Sequence, residues 1–208
     1  MLKNVIVVGH PLVQDSLGHL RNKETVLSKF RHHSDKLCEL LFVEALRGLE
    51  MKKEKIKTPL AEVMIERFDE KAVVIPIFRA GLAMLFGAMR YLNKSKVGFV
   101  GLERDEETAE ADEYYWKVPD VEGSTVIVTD PMLATGGSML HVLKRLSESN
   151  PKVIRIVCVV AAPEGIEAVI SEFPEVVIYT AAVDDHLNDK AFIVPGLGDY
   201  GDRYFGTE

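Results

Sequence analysis

The sequence predicts an α/β fold in which a mostly parallel central sheet is flanked by helices. Two stretches, residues 72–89 and 125–146, share one order of elements: a short apolar strand, a turn, and a helix with apolar residues at helical spacing. Strands and helices also alternate along the rest of the chain, which favours right-handed crossovers and parallel pairing. The 208 residues suffice for one large core but not comfortably for two. We therefore expect a single domain over residues 1–208.

Composition limits the partners and the location of the protein. The formal net charge of −7 argues against a polyanion as the main partner, so nucleic acid is not expected as a substrate. No apolar run reaches membrane-spanning length, and nothing at the N-terminus resembles a signal peptide. Cys38 and Cys158 lie in apolar patterns typical of buried, reduced thiols. These features predict a cytoplasmic protein without a membrane partner.

The N-terminal third predicts a short strand at Val5 to Val8, which His10-Pro11 ends, and a long helix from Thr25 to about Gly48. His32 and His33 lie on this helix. Adjacent helical residues point about 100° apart, so the two histidines are not expected to share a metal. The lysine-rich segment 51–58 is expected to be an exposed strand or loop.

Residues 72–78 predict a buried strand that leads into Arg79. An arginine at the carboxyl end of a parallel strand lies where open α/β sheets bind ligands, and its guanidinium group suits phosphate oxygens. A simple surface ion pair is the alternative for Arg79.

After a predicted strand at Lys96 to Leu102, the sequence becomes acidic and loses apolar periodicity. This pattern predicts a mobile lid over about residues 103–118. Within it, Arg104 either closes onto a diphosphate or merely balances its acidic neighbours. The acids lack the spacing of a known cation-binding loop.

Residues 125–138 predict an anion site. The apolar strand 125–129 ends at Asp130-Pro131, and the small residues 134–138 precede a helix, whose first N–H groups lack intrahelical partners. No lysine follows the glycines, which excludes a nucleotide-triphosphate loop. Asp130 can accept hydrogen bonds from ribose hydroxyls while the amides of residues 135–138 hold a phosphate. An ordinary tight connection is the alternative.

The C-terminal third predicts strands at 153–162 and 176–181 around a helix at 164–173, followed by a ribbon over about residues 191–205. Three glycines in the ribbon match G-x-G-x-x-G, but we expect no helix or βαβ unit after them. Outward-facing backbone groups of the ribbon could instead read the edge of a flat heterocycle, unless the ribbon is only a turn-rich tail. The run Asp184-Asp185-His186 is interpreted as structural rather than catalytic.

Taken together, the sequence closely resembles the uracil phosphoribosyltransferases of the type I phosphoribosyltransferase family along nearly the whole chain. The matching motifs are HPLV at 10–13, PIFRAGLAM at 76–84, ERDEET at 103–108, TDPMLATGGS at 129–138, AAPEGI at 161–166 and IVPGLGDYGDR at 193–203. The resemblance implies the type I fold and Mg²⁺-dependent transfer of phosphoribose from 5-phospho-α-D-ribose 1-diphosphate to uracil in pyrimidine salvage. Mg²⁺ is expected to be carried by the diphosphate rather than by protein ligands.

The resemblance also implies roles for single residues. Arg79, Arg104 and Asp130 are the expected catalytic residues, with both arginines on the diphosphate. The sugar donor is expected to contact these three and Pro131, Met132, Leu133, Ala134, Thr135, Gly136, Gly137, Ser138 and Asp199. Uracil is expected to contact Ile193, Gly198, Asp199 and Tyr200. Where many type I enzymes have two acids, this chain has Thr129-Asp130, and where many relatives have alanine it has Tyr200, which either stacks over the base or faces away.

Relatives implied by this resemblance are commonly dimers or larger homo-oligomers, and some respond to GTP, so both properties are expectations here. Two alternatives stay open at this point. An RNA-binding regulator of pyrimidine genes on the same fold would need a basic face, which the net charge of −7 disfavours. An enzyme acting on another base is disfavoured by the PGLGD motif.

Overall fold

The computed structural model describes residues 4–68, 72–104 and 111–207. Its helices are α1 (Pro11–Arg21), α2 (Leu27–Ala45), α3 (Gly81–Met89), α4 (Gly137–Ser147), α5 (Pro163–Glu172) and α6 (Tyr200–Phe205). Its strands are β1 (Val5–Val7), β2 (Met51–Lys57), β3 (Glu62–Phe68), β4 (Ala72–Phe78), β5 (Lys96–Val97), β6 (Phe99–Arg104), β7 (Ala111–Lys117), β8 (Thr125–Thr129), β9 (Met132–Leu133), β10 (Val153–Ala161), β11 (Val177–Val183), β12 (His186–Leu187) and β13 (Ile193–Val194).

The central sheet has the order β1-β11-β10-β8-β4-β6-β7, with β5 beside β4 and β9 beside β10. Its pairings are parallel except for β6 with β7. Successive strand side chains point to opposite faces, so one apolar core lies under α1, α2, α3 and α6 and the other under α4 and α5. The predicted mostly parallel sheet flanked by helices is confirmed.

Two elements before β4 were not anticipated from the sequence, α1 and β3. Helix α1 begins directly at Pro11, and Nδ1 of His10 accepts a hydrogen bond from the N–H of Leu12 at 3.2 Å. His10-Pro11 therefore both ends the first strand and starts a helix, because proline is well suited to the first helical position. Strand β3 pairs antiparallel with the lysine-rich β2, and the two form an exposed hairpin.

The segment predicted to be a mobile lid, about residues 103–118, contains regular structure in its described part. β6 and β7 pair antiparallel, and residues 105–110 lie outside the described residues. The acidic composition concealed β7 because its aromatic residues sit near its end, where Tyr115 stacks on Phe78 with ring centroids 6.2 Å apart. The predicted strand at 96–102 is divided at Gly98 into β5 and β6.

Both cysteines are free and buried, as predicted. None of the helices in the described part of the chain is long and apolar enough to cross a membrane.

Candidate active site

Arg79 and Asp130 lie at the same edge of the sheet, as expected. They follow β4 and β8, which are adjacent and parallel, with Pro76 level with Thr129. The turn after Arg79 crosses closely over the end of β8, since a Cβ at Gly81 would lie 2.3 Å from the carbonyl oxygen of Thr129. Only glycine permits this approach. The close contact therefore fixes the Arg79 turn beside Asp130.

The predicted anion loop has the geometry of an open helix N-terminus. Gly136 adopts φ +84° and forms the N-cap of α4, and the N–H of Gly137 donates to Oγ1 of Thr135 at 3.4 Å. The N–H groups of Ser138 and Met139 have no intrahelical acceptor, because they lie in the first turn of the helix. With the helix dipole, these amides favour an anion such as a phosphate.

Helix α5 supports this loop from behind, a role that the sequence did not reveal. A Cβ at Gly165 would lie 2.3 Å from the carbonyl oxygen of Ala134, and one at Gly136 would lie 3.1 Å from the carbonyl oxygen of Gly165. The glycine in the AAPEGI motif is therefore a packing requirement of the loop rather than a ligand contact.

We expect Gly165→Ala to displace the loop and to lower the free energy of unfolding by about 1 to 3 kcal/mol, as overpacking typically does. Gly18→Ala is the matched control, because nothing lies within 4 Å of a Cβ at that position in α1. Urea unfolding of both variants measures the difference. If Gly165→Ala were as stable as Gly18→Ala, the loop would be able to move away from the new methyl group without a loss of folding free energy.

Asp130 is half-buried at the end of β8, where its Oδ1 accepts the N–H of Met132 at 3.2 Å. Burial raises the pKa of this carboxyl to about 6, although the Met132 hydrogen bond acts in the opposite direction. Hydrogen bonds from ligand hydroxyls stabilise the ionised form of a carboxyl group, and this stabilisation matters most where burial disfavours ionisation. Asp130 is thus placed to accept from a sugar.

This raised pKa predicts a pH-dependent stability. The folded state binds the proton more tightly than the unfolded chain, so stability falls as pH rises from about 4 to about 6 and is then constant. An asparagine side chain at this position does not ionise. We expect the stability of the wild type relative to Asp130→Asn to decrease by about 2 kcal/mol across this window, in urea unfolding at pH 4 to 7. A constant difference would place the pKa near its ordinary value.

Arg79 forms an ion pair, the alternative that the sequence left open. Its guanidinium group donates to Oδ1 of Asp202 at 2.9 Å and to Oγ1 of Thr207 at 3.3 Å, and Thr207 donates to the same Asp202 oxygen at 2.6 Å. Hydrogen bonds from Thr207 and Arg79 lower the pKa of Asp202. Because the pair is exposed, its contribution to stability is small and an anionic ligand can compete for Arg79.

Asp202 was missed by the sequence analysis. It lies in the first turn of α6, after Asp199, whose Oδ1 accepts the N–H of Asp202 at 2.9 Å and caps the helix. The expectation that no helix follows the ribbon glycines is therefore wrong. An acid three residues after a possible N-cap aspartate was the overlooked sign of a helix start.

The ribbon is anchored by buried polar groups rather than facing outward throughout. The N–H of Gly196 donates to Oδ2 of Asp184 at 2.9 Å, and Arg21 donates to Asp184 and, at 2.7 Å, to the carbonyl oxygen of Gly196. Arg203 donates to the carbonyl oxygen of Leu197 at 2.6 Å. Both backbone groups of Gly196 are thus engaged inside the protein, which corrects the expectation for this residue. Asp184 is structural, as predicted.

Beyond these anchors, the predicted base-binding residues divide into two groups. Gly198, with φ +79°, and Asp199 are exposed, and Asp199 accepts a hydrogen bond from the N–H of Asp202, the partner of Arg79. Ile193 is buried and lies in the two-stranded pairing of β12 with β13.

The side chain of Tyr200 faces away from the site. It is fully buried, makes a hydrogen bond with the hydroxyl of Ser34, and packs edge-on against Phe30 at a centroid distance of 5.3 Å. Burial raises the pKa of Tyr200 well above its ordinary value. Of the two roles left open by the sequence, stacking over a base is therefore excluded for this ring, and only the backbone of Tyr200 remains available.

The base of the β6–β7 hairpin is fixed to α4. Glu113 of β7 accepts hydrogen bonds from Arg145 and, at 3.0 Å, from Nε2 of His141, while Arg145 lies 4.1 Å from the centre of the Trp116 ring. Burial acts against ionisation of Glu113, but the bonds from Arg145 and His141 keep its pKa below the ordinary value. The backbone of Arg104 ends β6 at the same hairpin.

Comparisons with known proteins give relatives that span nearly the whole chain. The family model for uracil phosphoribosyltransferase matches residues 7–207. Uracil phosphoribosyltransferase of Dictyoglomus turgidum is 46% identical over 206 residues, covering 98% of this chain and 100% of that protein. The AQ2163 protein from Aquifex aeolicus is 36% identical and superposes with a TM-score of 0.93, covering 98% of this chain and 99% of that one. Adenine phosphoribosyl transferase from Trypanosoma brucei, 13% identical with a TM-score of 0.60 over 94% of this chain and 88% of that one, shares the fold.

Proposed function

The chain belongs to the uracil phosphoribosyltransferase family, and we propose that it forms UMP and diphosphate from uracil and 5-phospho-α-D-ribose 1-diphosphate at the edge where β4 and β8 end. One observation carries the assignment of the site: Arg79, Asp130, the open N-terminus of α4 and the exposed part of the ribbon converge at this edge. A cation, a hydroxyl acceptor and an anion cradle are the groups that a phosphorylated, diphosphate-bearing sugar requires.

We assign the sugar donor to the loop and the two arginines. The 5-phosphate lies on the amides of residues 135–138, and the ribose hydroxyls donate to Asp130. Arg79, released from Asp202, and Arg104 hold the diphosphate. The remaining loop contacts are Pro131, Met132, Leu133 and Ala134.

We assign the base to the ribbon. Exposed backbone at Gly198 and Asp199, with the backbone of Ile193 and Tyr200, would read the polar edge of uracil, and Asp199 also lies next to the donor site. Main-chain recognition suits a flat heterocycle, because its edge presents donors and acceptors at fixed spacing. The buried phenol of Tyr200 instead supports the ribbon from the core.

The reaction needs no protein nucleophile. The bond between C1 and the diphosphate oxygen breaks with its electron pair on diphosphate, a bond from C1 to a uracil nitrogen forms, and the proton of that nitrogen is released. Arg79 and Arg104 would stabilise charge that develops on the leaving diphosphate. Closure of the β6–β7 hairpin would exclude water that otherwise hydrolyses the donor.

Mg²⁺ dependence is part of the proposal. Mg²⁺ keeps several waters and binds substrate phosphates readily, so the donor's diphosphate rather than protein ligands would carry the ion at the proposed site. When bound on the diphosphate, the ion would neutralise leaving-group charge.

The assay that tests this function measures UMP formation from uracil and the donor, with and without Mg²⁺, in competition with hypoxanthine. We expect metal-dependent turnover that hypoxanthine does not inhibit. Turnover with hypoxanthine alone would reassign the base while leaving the donor site intact. The comparisons favour neither the RNA-binding regulator nor another base; an RNA mobility shift at physiological salt would revive the former.

We also propose a homo-oligomer that works in the cytoplasm. The β2–β3 hairpin extends exposed apolar side chains, among them Leu60, Val63 and Met64, which a second copy could cover. Two free, buried cysteines suit a reducing compartment. GTP as an effector stays a prediction that rests on the family resemblance.

A further inference from the structure

We propose that α1 and α2 bind a divalent transition-metal ion between Asp15, His19 and His33, at a site separate from the active edge. Asp15 and His19 are one turn apart on the same face of α1, and α2 packs against this helix and contributes His33. One ligand atom from each side chain lies within 4.8 Å of the other two. Among the residues that the structure describes, no other group of three metal-ligating side chains converges in this way.

The donor set suits a transition metal rather than Mg²⁺ or Ca²⁺. Two imidazoles and one carboxylate are typical ligands of Zn²⁺, Co²⁺ and Ni²⁺, with the remaining positions left to water. Ligand atoms that share such an ion are about 3.4 Å apart, as metal–ligand bonds of about 2.1 Å imply for tetrahedral angles. Small rotations of these side chains, two of them exposed, would therefore bring the three ligands onto one ion.

The two histidines are already held next to each other. The rings of His19 and His33 are stacked, with centroids 3.8 Å apart and an interplanar angle of 16°. The hydroxyl of buried Ser16 lies 3.5 Å from Nδ1 of His33, so we assign Nε2 of this ring to the metal. A hydrogen bond to the second ring nitrogen is the usual support of a ligating histidine.

Solvent access to the site and competition from a neighbouring lysine predict a moderate affinity for the metal ion. Asp15 and His19 are exposed and His33 is half-buried, so an ion can enter from solvent. Lys36 lies 3.8 Å from Asp15 across the surface and must be displaced. With three protein ligands and one competitor, we expect a dissociation constant in the micromolar range.

An ion at this site would join the two helices that support the ribbon. Arg21, at the end of α1, holds Asp184 and Gly196, and Ser34, next to His33 on α2, contacts Tyr200. A ligand that binds only the folded protein raises its stability by mass action. The metal is therefore expected to stabilise the base-binding part of the fold without touching substrate.

The test titrates Co²⁺ and Zn²⁺ into the full chain, following cobalt absorption, calorimetric stoichiometry and the midpoint of thermal unfolding. We expect one ion per chain and a midpoint that rises by several degrees at saturating Zn²⁺. Asp15→Asn and His33→Asn should each weaken binding at least tenfold. His32→Asn is the matched control, since this neighbouring histidine lies outside the cluster, and should change affinity less than twofold.

Binding no tighter than about 1 mM, or an equal loss in His32→Asn, would overturn the proposal. Asp15→Asn keeps the result interpretable if His33→Asn folds poorly, because Asp15 is exposed and the change is isosteric. Since the readouts are spectroscopic and thermal, the outcome is independent of whether UMP is formed.

Discussion

Replacing Asp130 with asparagine is expected to lower kcat/KM for UMP formation by about 10³-fold while leaving the fold intact. Asp130 is the carboxylate placed at the end of β8, and the chain has Thr129 where many type I enzymes have a second acid. The amide retains the volume and the hydrogen bond from Met132 but loses the charge that the ribose hydroxyls require. Steady-state kinetics with the donor as the varied substrate provides the measurement.

The matched control is Asp189→Asn, which removes the same charge at an exposed position in the turn between β12 and β13. We expect its kcat/KM to stay within twofold of the wild type. A similarly mild effect of Asp130→Asn would show that this carboxylate is not needed for the reaction. The ribose would then be bound by the loop amides instead.

Structural elements whose signals lie within a short, continuous stretch of sequence could be predicted from the sequence. The strands β4 and β8 are short apolar runs covered on both faces, and the small residues 134–138 precede a helical pattern. Each of these signals lies within about fifteen residues. Because parallel strands place their carboxyl ends at one edge, Arg79 and Asp130 followed from the pattern.

Contacts between distant segments could not be predicted in the same way. The partner of Arg79 is Asp202, 123 residues away, and no local pattern joins them. Likewise, the sequence of the glycine-rich ribbon suggests outward-facing backbone groups, because nothing in it shows that Arg21 and Asp184 bind the backbone of Gly196. Tyr200 belongs to the core because α2 presents Ser34 and Phe30 to it, which composition cannot reveal.

The ribbon anchor leads to the largest predicted effect on stability. Asp184→Ala is expected to lower the free energy of unfolding by about 3 kcal/mol, because it leaves the largely buried Arg21 without its charge partner and the N–H of Gly196 without an acceptor. It should also raise the KM for uracil more than the KM for the donor, since the ribbon rather than the phosphate loop loses its support. Urea unfolding and steady-state kinetics measure the two effects.

The second variant needed is Arg21→Met, alone and combined with Asp184→Ala. Removing both charges eliminates the unpaired ion, so the double variant should be more stable than the sum of the two single losses predicts, by at least about 1 kcal/mol. Simple additivity would mean that solvent already neutralises the cost of a lone Arg21, whose side chain is 24% exposed. In that case Asp184 and Arg21 would hold the ribbon independently, through the N–H and the carbonyl oxygen of Gly196 respectively, and the KM for uracil would rise in each single variant.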